Sequence, residues 1–128
     1  AYIRRRASDN VVIDSITINN IDRVRVTGTS KDDSIVGTYG DDEIYGGNGN
    51  DTLNGFWGGN NYIDGGRGND TMWGSYGANG TGADDTMIGG AGDDTMQARV
   101  GDERLDGGLG NDTLVGEFDF TNGYGTDR

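Results

Sequence analysis

The sequence predicts an all-β chain wound into a parallel β-roll, a right-handed β-solenoid. Two observations lead there. A nine-residue unit, Gly46-Gly47-Asn48-Gly49-Asn50-Asp51-Thr52-Leu53-Asn54, returns three times in near-perfect form: as Gly65-Gly66-Arg67-Gly68-Asn69-Asp70-Thr71-Met72-Trp73, as Gly89-Gly90-Ala91-Gly92-Asp93-Asp94-Thr95-Met96-Gln97 and as Gly107-Gly108-Leu109-Gly110-Asn111-Asp112-Thr113-Leu114-Val115. Each unit also divides into a glycine-rich hexapeptide and an x-apolar-x triplet. The hexapeptide is a turn, because glycine tolerates positive φ and close backbone approach. The triplet is a short strand with one side chain pointing inward. Turn, strand, turn, strand closes one coil for every two units.

Extending the frame outward from the clear copies gives nine units: 28–36, 37–45, 46–54, 55–64, 65–73, 74–88, 89–97, 98–106 and 107–115. The sixth position then reads Asp33, Asp42, Asp51, Asn60, Asp70, Asp85, Asp94, Glu103 and Asp112. The eighth reads Ile35, Ile44, Leu53, Ile63, Met72, Met87, Met96, Leu105 and Leu114. Nine units make about four and a half coils, with residues 1–27 as N-terminal strands capping the roll and residues 116–128 as the start of a C-terminal cap.

One inward apolar side chain per unit is a thin core. Apolar residues are 31% of a 128-residue chain that holds 26 Gly, no Pro, no Cys and no His. Residues 28–115 carry 16 acidic and 4 basic side chains, a local balance of −12. An acidic, glycine-rich segment of this kind would ordinarily be disordered, because its burial cannot offset backbone entropy. Something besides apolar contact has to hold the turns together.

Spacing supplies a candidate. Strands of successive coils stack about 4.8 Å apart, and so do the turns on one edge. Calcium–oxygen bonds run about 2.3–2.6 Å, so an ion between two stacked turns reaches oxygens of both. Glycines expose backbone carbonyls as neutral ligands, and the sixth-position aspartate adds charge. Without an ion the stacked carboxylates repel one another by about 1 kcal/mol even at the dielectric of water. Metal binding is therefore coupled to folding. Oxygen ligation selects a hard ion, and the absence of His and Cys disfavours zinc or copper.

The turns alternate between two edges. Odd units place Asp33, Asp51, Asp70, Asp94 and Asp112 in one column, four of them in full Gly-Gly-x-Gly turns; the first turn reads Gly28-Thr29-Ser30-Lys31. Even units place Asp42, Asn60, Asp85 and Glu103 in the other column. Both length irregularities fall on the even edge: one extra residue near Asn61-Tyr62 and six within residues 74–83. The expectation is a regular column of up to four calcium ions on the odd edge and a sparser or non-standard even edge.

Tyr39, Phe56, Trp57 and Tyr76 also lie in even-edge turns. They either form a platform for a ligand such as a sugar ring, or pack under the insertions or against another domain. Ser34, Thr52, Thr71, Thr95 and Thr113 form an outward hydroxyl file on the odd sheet. A flat threonine file can suit ice, but β-propensity at exposed strand positions accounts for it.

At the N-terminal end, Val11-Val12-Ile13, Ile16-Thr17-Ile18, Ile21, Val24 and Val26 alternate as strands that would cover the open edge of the roll. Arg4, Arg5 and Arg6 read as a solvated tail. The strong acidity of the middle disfavours nucleic acid as a partner, since phosphate binding needs a basic face. No apolar run is long enough to span a membrane. The chain starts at Ala1 without Met or a signal-peptide pattern, which suggests a piece of a longer protein.

The repeat resembles the nonapeptide of the RTX (hemolysin-type) calcium-binding proteins. The resemblance covers residues 28–115 and, more loosely, the aromatic segment Phe118-Asp119-Phe120-Thr121-Asn122-Gly123-Tyr124 that opens the C-terminal cap of many such rolls. It implies Ca2+ held by sixth-position carboxylates of stacked turns and by carbonyls of their glycine loops. The carboxylates map onto Asp33, Asp51, Asp70, Asp94 and Asp112, with Asp42 and Asp85 on the other edge. The carbonyls map onto Gly46, Gly47, Asn48 and Gly49; Gly65, Gly66, Arg67 and Gly68; Gly89, Gly90, Ala91 and Gly92; and Gly107, Gly108, Leu109 and Gly110. Asn60 and Glu103 depart from the motif. Members of this family resemble one another in leaving bacteria unfolded by type I secretion and folding in external calcium, which implies an extracellular, secreted or cell-surface location.

Three functions follow. One is a calcium-driven folding and structural module of a larger secreted bacterial protein, with calcium ions and neighbouring domains as partners. Another is a calcium-rigidified binding module of an adhesin, surface-layer protein or carbohydrate-active enzyme, with a glycan as partner. The third, an enzyme, is disfavoured: no His, Cys or serine-based nucleophile constellation exists, and nearly every acidic pair belongs to a turn.

Overall fold

The structure is a computed structural model that describes residues 2–6, 23–77 and 83–116. Every regular element among them is a strand: β1 (Tyr2–Arg6), β2 (Arg23–Thr27), β3 (Ser34–Val36), β4 (Glu43–Asn48), β5 (Thr52–Asn54), β6 (Tyr62–Arg67), β7 (Thr71–Trp73), β8 (Thr86–Ala91), β9 (Thr95–Gln97), β10 (Arg104–Leu109) and β11 (Thr113–Val115). They form two sheets, β1-β2-β4-β6-β8-β10 and β3-β5-β7-β9-β11, in which strands from successive coils are neighbours. All pairings are parallel. The chain crosses from one sheet to the other at each turn, so the architecture is the predicted β-roll.

The two sheets differ in strand length. The odd-unit triplets are three-residue strands, as expected. The even-unit strands run on through the first three residues of the glycine segment that follows, pairing Gly47 with Gly66 and Asn48 with Arg67, then Gly66 with Gly90 and Arg67 with Ala91. Half of each of the four Gly-Gly-x-Gly segments is therefore ladder, not turn. Glycine permits this because backbone without Cβ can stack directly on backbone. An added Cβ at Gly66, for example, would stand under 3.0 Å from the Gly47 carbonyl oxygen.

Between the sheets lies one file of apolar side chains. Val24, Val26, Ile35, Ile44, Leu53, Ile63, Met72, Met87 and Met96 are buried and form one cluster, with Leu105 partly buried against it. Leu114 of the last described strand is exposed. The outward file of the short sheet is in register, Ser34, Thr52, Thr71, Thr95 and Thr113 lying side by side.

At the N-terminal end, β1 pairs in parallel with β2, Tyr2 opposite Arg23 and Arg6 opposite Thr27. The arginine run expected as a solvated tail is thus the edge strand of the long sheet. Val24 and Val26 join the core, while Arg23 and Arg25 both pair with Glu43 on β4. The expected strands over residues 11–21 and the aromatic segment from Phe118 lie outside the described residues.

Candidate metal centre

Register corrects one position. Tyr62 pairs with Glu43 and Ile63 with Ile44, so Asn61, not Asn60, stands beside Asp42 at the sixth position. The extra residue of that unit therefore lies within the turn before Asn61. Adjacent asparagines hid the slip, because either fits the frame.

Along the odd edge, each sixth-position carboxylate uses Oδ1 to accept an N–H from the same position one coil earlier. Asp33 N–H donates to Asp51 at 2.8 Å, Asp51 to Asp70 at 2.7 Å, Asp70 to Asp94 at 2.8 Å and Asp94 to Asp112 at 3.0 Å. The even edge repeats the pattern: Val24 N–H donates to Asp42, Asp42 to Asn61 and Asn61 to Asp85, each at 2.8 Å.

A second column runs beside each of these, and the sequence reading missed it. The fifth position holds Asp32, Asn50, Asn69, Asp93 and Asn111 on the odd edge, and Asp41, Asn60, Asp84 and Asp102 on the even edge. Here the bond runs the other way: Asn50 N–H donates to Asp32 Oδ1, Asn69 to Asn50, Asp93 to Asn69 and Asn111 to Asp93. Asn60 N–H likewise donates to Asp41, Asp84 to Asn60 and Asp102 to Asp84. The signal was present, since all nine fifth positions are Asp or Asn. A short side-chain oxygen that can bond backbone is what such a ladder requires.

The other carboxylate oxygen is where the chemistry lies. Asp51, Asp70 and Asp94 are each 1% exposed, and the Oδ2 of each is buried with no hydrogen-bond partner. Each faces the first glycine of its own turn. A Cβ on Gly46 would stand under 3.0 Å from Asp51 Oδ2 and from the Gly65 carbonyl oxygen. Gly65 is hemmed in the same way by Asp70 Oδ2 and Gly89 O, and Gly89 by Asp94 Oδ2 and Gly107 O. Three cradles follow, each bringing a carboxylate oxygen of one turn close to a carbonyl oxygen of the next.

A buried carboxylate with an unsatisfied oxygen is costly unless it takes up a proton or a cation. Burial pushes the Asp51 carboxyl up to about 6; the charges of Asp70, Asp33 and Asp32 add to the rise, and the Asp33 N–H opposes it. Asp70 and Asp94 are raised too, again first by burial. The donor set is all oxygen and the charge negative, which fits a hard cation such as Ca2+. Carboxylates alone do not make the site: among the described residues no three Asp or Glu side chains converge to hold an ion. Turn carbonyls must supply the remaining ligands.

Of the expected carbonyls, those of Gly65, Gly89 and Gly107 border the cradles. Those of Arg67, Ala91 and Leu109 accept the N–H of Gly49, Gly68 and Gly92 at 2.8 Å. Each keeps a second lone pair. Gly49, Gly68, Gly92 and Gly110 have φ of +114°, +125°, +140° and +139°, so the glycine at the fourth position is needed for its left-handed backbone.

Three of the even-edge turns are satisfied differently, while Glu103 in the fourth is buried at 1% exposure without a hydrogen bond to its carboxylate oxygens. Asp42 Oδ2 accepts the Thr38 N–H at 2.5 Å, and the Thr38 hydroxyl donates to the same carboxylate, 2.8 Å from Oδ1 and 3.1 Å from Oδ2. Asp85 Oδ2 accepts the Ser75 N–H at 2.5 Å and its hydroxyl at 2.9 Å. Asn61 donates its amide to the Gly55 and Gly58 carbonyls, both at 3.3 Å. Burial raises Asp42 and Asp85 as well, and these donors pull against it. The first odd turn behaves like an even one, Asp33 Oδ2 accepting the Thr29 N–H at 2.5 Å and hydroxyl at 2.9 Å.

Tyr39, Trp57 and Tyr76 are exposed, and the rings touch in sequence: Tyr39 to Phe56 at 5.6 Å, Phe56 to Trp57 at 6.3 Å and Trp57 to Tyr76 at 5.6 Å. The Arg99 guanidinium caps the strip, 3.7 Å from the Tyr76 ring centre.

Parallel coils of this period, with oxygen-lined cradles between glycine turns, define a calcium-binding repeat module of the β-roll class. The family described as RTX calcium-binding nonapeptide repeat matches in four copies over residues 27–55, 58–79 and 79–114. The chain belongs to that family. Comparison with curated proteins and with solved structures finds no match.

Proposed function

We propose that this chain is a calcium-gated folding module, a structural and secretion-linked domain of a larger secreted bacterial protein. Calcium on the odd edge holds together coils that the thin core leaves marginal. The three orphaned buried oxygens of Asp51, Asp70 and Asp94 support this most directly. Each is an anionic ligand already aimed at a carbonyl of the next turn. With calcium scarce, the chain stays extended and competent for export; in external calcium, at affinities on the order of 10⁻⁴–10⁻³ M, it folds. The module is extracellular in this scheme and is not itself an enzyme.

The test is circular dichroism of the purified chain during a calcium titration. A coil-to-β transition with a midpoint in that range is expected; full β-structure in chelator overturns the proposal. The exposed aromatic strip favours a second reading, a rigidified glycan-binding module. A glycan array probed in calcium, with Trp57→Ala as control, separates the two: sugar binding lost in the variant supports the second.

A further inference from the structure

The cradle itself is nearly the same wherever a sixth-position aspartate meets a first-position glycine. A Cβ on Gly28 or Gly74 would crowd Asp33 or Asp85 Oδ2 just as one on Gly46 would crowd Asp51, and Gly37 faces Asp42 Oδ2 likewise. What differs is the next residue. Where it is Thr29, Thr38 or Ser75, its N–H donates to Oδ2 and its hydroxyl donates to the same carboxylate. Where it is Gly47, Gly66 or Gly90, its φ is +110°, +102° or +105°, and the facing Oδ2 is buried without a partner. Thr and Ser rarely adopt that left-handed backbone, and glycine has no hydroxyl, so the two states exclude one another.

We infer that the second residue of each turn selects its ligand: glycine leaves the carboxylate for calcium, and serine or threonine occupies it with protein donors. The inference rests on the calcium reading above and refines it. Two charge-assisted hydrogen bonds already satisfy Asp33, Asp42 and Asp85, and a cation there would have to displace them. The Asn61 turn reaches the same end by another route, with a neutral amide in place of the carboxylate. Calcium therefore binds at the three glycine cradles: between the turns of Asp51 and Asp70, of Asp70 and Asp94, and of Asp94 and Asp112. On the opposite edge, the turns of Asp42, Asn61 and Asp85 form a metal-independent spine.

Native mass spectrometry of the full chain titrated with calcium chloride counts the ions directly. The expected count is three for the natural sequence, four for Thr38→Gly or Ser75→Gly, and five for the double variant. Any other count for the natural sequence overturns the selection rule. So does a count that stays at three in variants that circular dichroism shows to be folded. A count above three leaves the calcium-gated reading standing, whereas no calcium uptake at all removes both. The natural-sequence count decides the matter even where the glycine variants fail to fold.

Discussion

A single aspartate on the odd edge does two jobs with two oxygens, and they can be separated. Asp70 Oδ1 accepts the Asp51 N–H, while Asp70 Oδ2 is buried and unpartnered. Asp70→Asn keeps the first and replaces the second with an amide donor. The chain already carries that arrangement at Asn61, whose amide donates to two carbonyls of its own turn. The variant is expected to lose one ion and to need about tenfold more calcium to fold, equivalent to ~1.4 kcal/mol. Its chelated form should be more ordered than the parent's, because one buried charge has gone. Paired circular dichroism titrations check both; an unchanged midpoint would mean that Oδ2 is not a ligand.

At the scale of strands and turns, the glycines set how closely coils approach. Gly65 is buried, and a Cβ there would stand under 3.0 Å from Asp70 Oδ2 and from the rigid Gly89 carbonyl. Gly65→Ala is expected to destabilise the calcium-loaded roll by about 1–3 kcal/mol. Thermal melts in calcium check this, at ~4–8 °C per kcal/mol for a domain of this size. Much of this level was legible in the sequence. Ile44, Leu53, Ile63, Met72, Met87 and Met96 are buried as the eighth-position count required. The odd–even division of the turns matches the two sheets, and the odd column of aspartates is in register. The rest was hidden for definite reasons. The continuation of strands through Gly46, Gly47 and Asn48 carries no β-forming side chain to announce it. The place of the extra residue beside Asn61 depends on pairing with Glu43 and Ile44, a contact 19 residues away in sequence. Donation by Thr38 and Ser75 is a matter of reach, which residue type alone does not reveal.

For the molecule as a whole, protons and calcium compete for the same buried oxygens. Folding raises the Asp51 carboxyl to about 6, with Asp70 and Asp94 moved in the same direction, chiefly by burial. An unfolded aspartate titrates near 3.9. Carboxyls that bind protons more readily in the roll than in the coil make the metal-free roll more stable at low pH. That contribution is full below about 4 and is lost as pH rises through about 6. The net charge of −12 at pH 7 adds repulsion in the same direction. Calcium reverses the slope, because it needs these carboxylates deprotonated. In chelator, β-structure is therefore expected to increase on acidification from pH 7.5 to 4.5. In subsaturating calcium, the midpoint concentration should rise steeply as pH falls below about 6. Circular dichroism across a pH series, with and without calcium, reads both slopes. If chelated chain lost β-structure on acidification, the odd-edge carboxylates would have to be stabilised as anions by protein donors, and the ion would not be what holds the coils together.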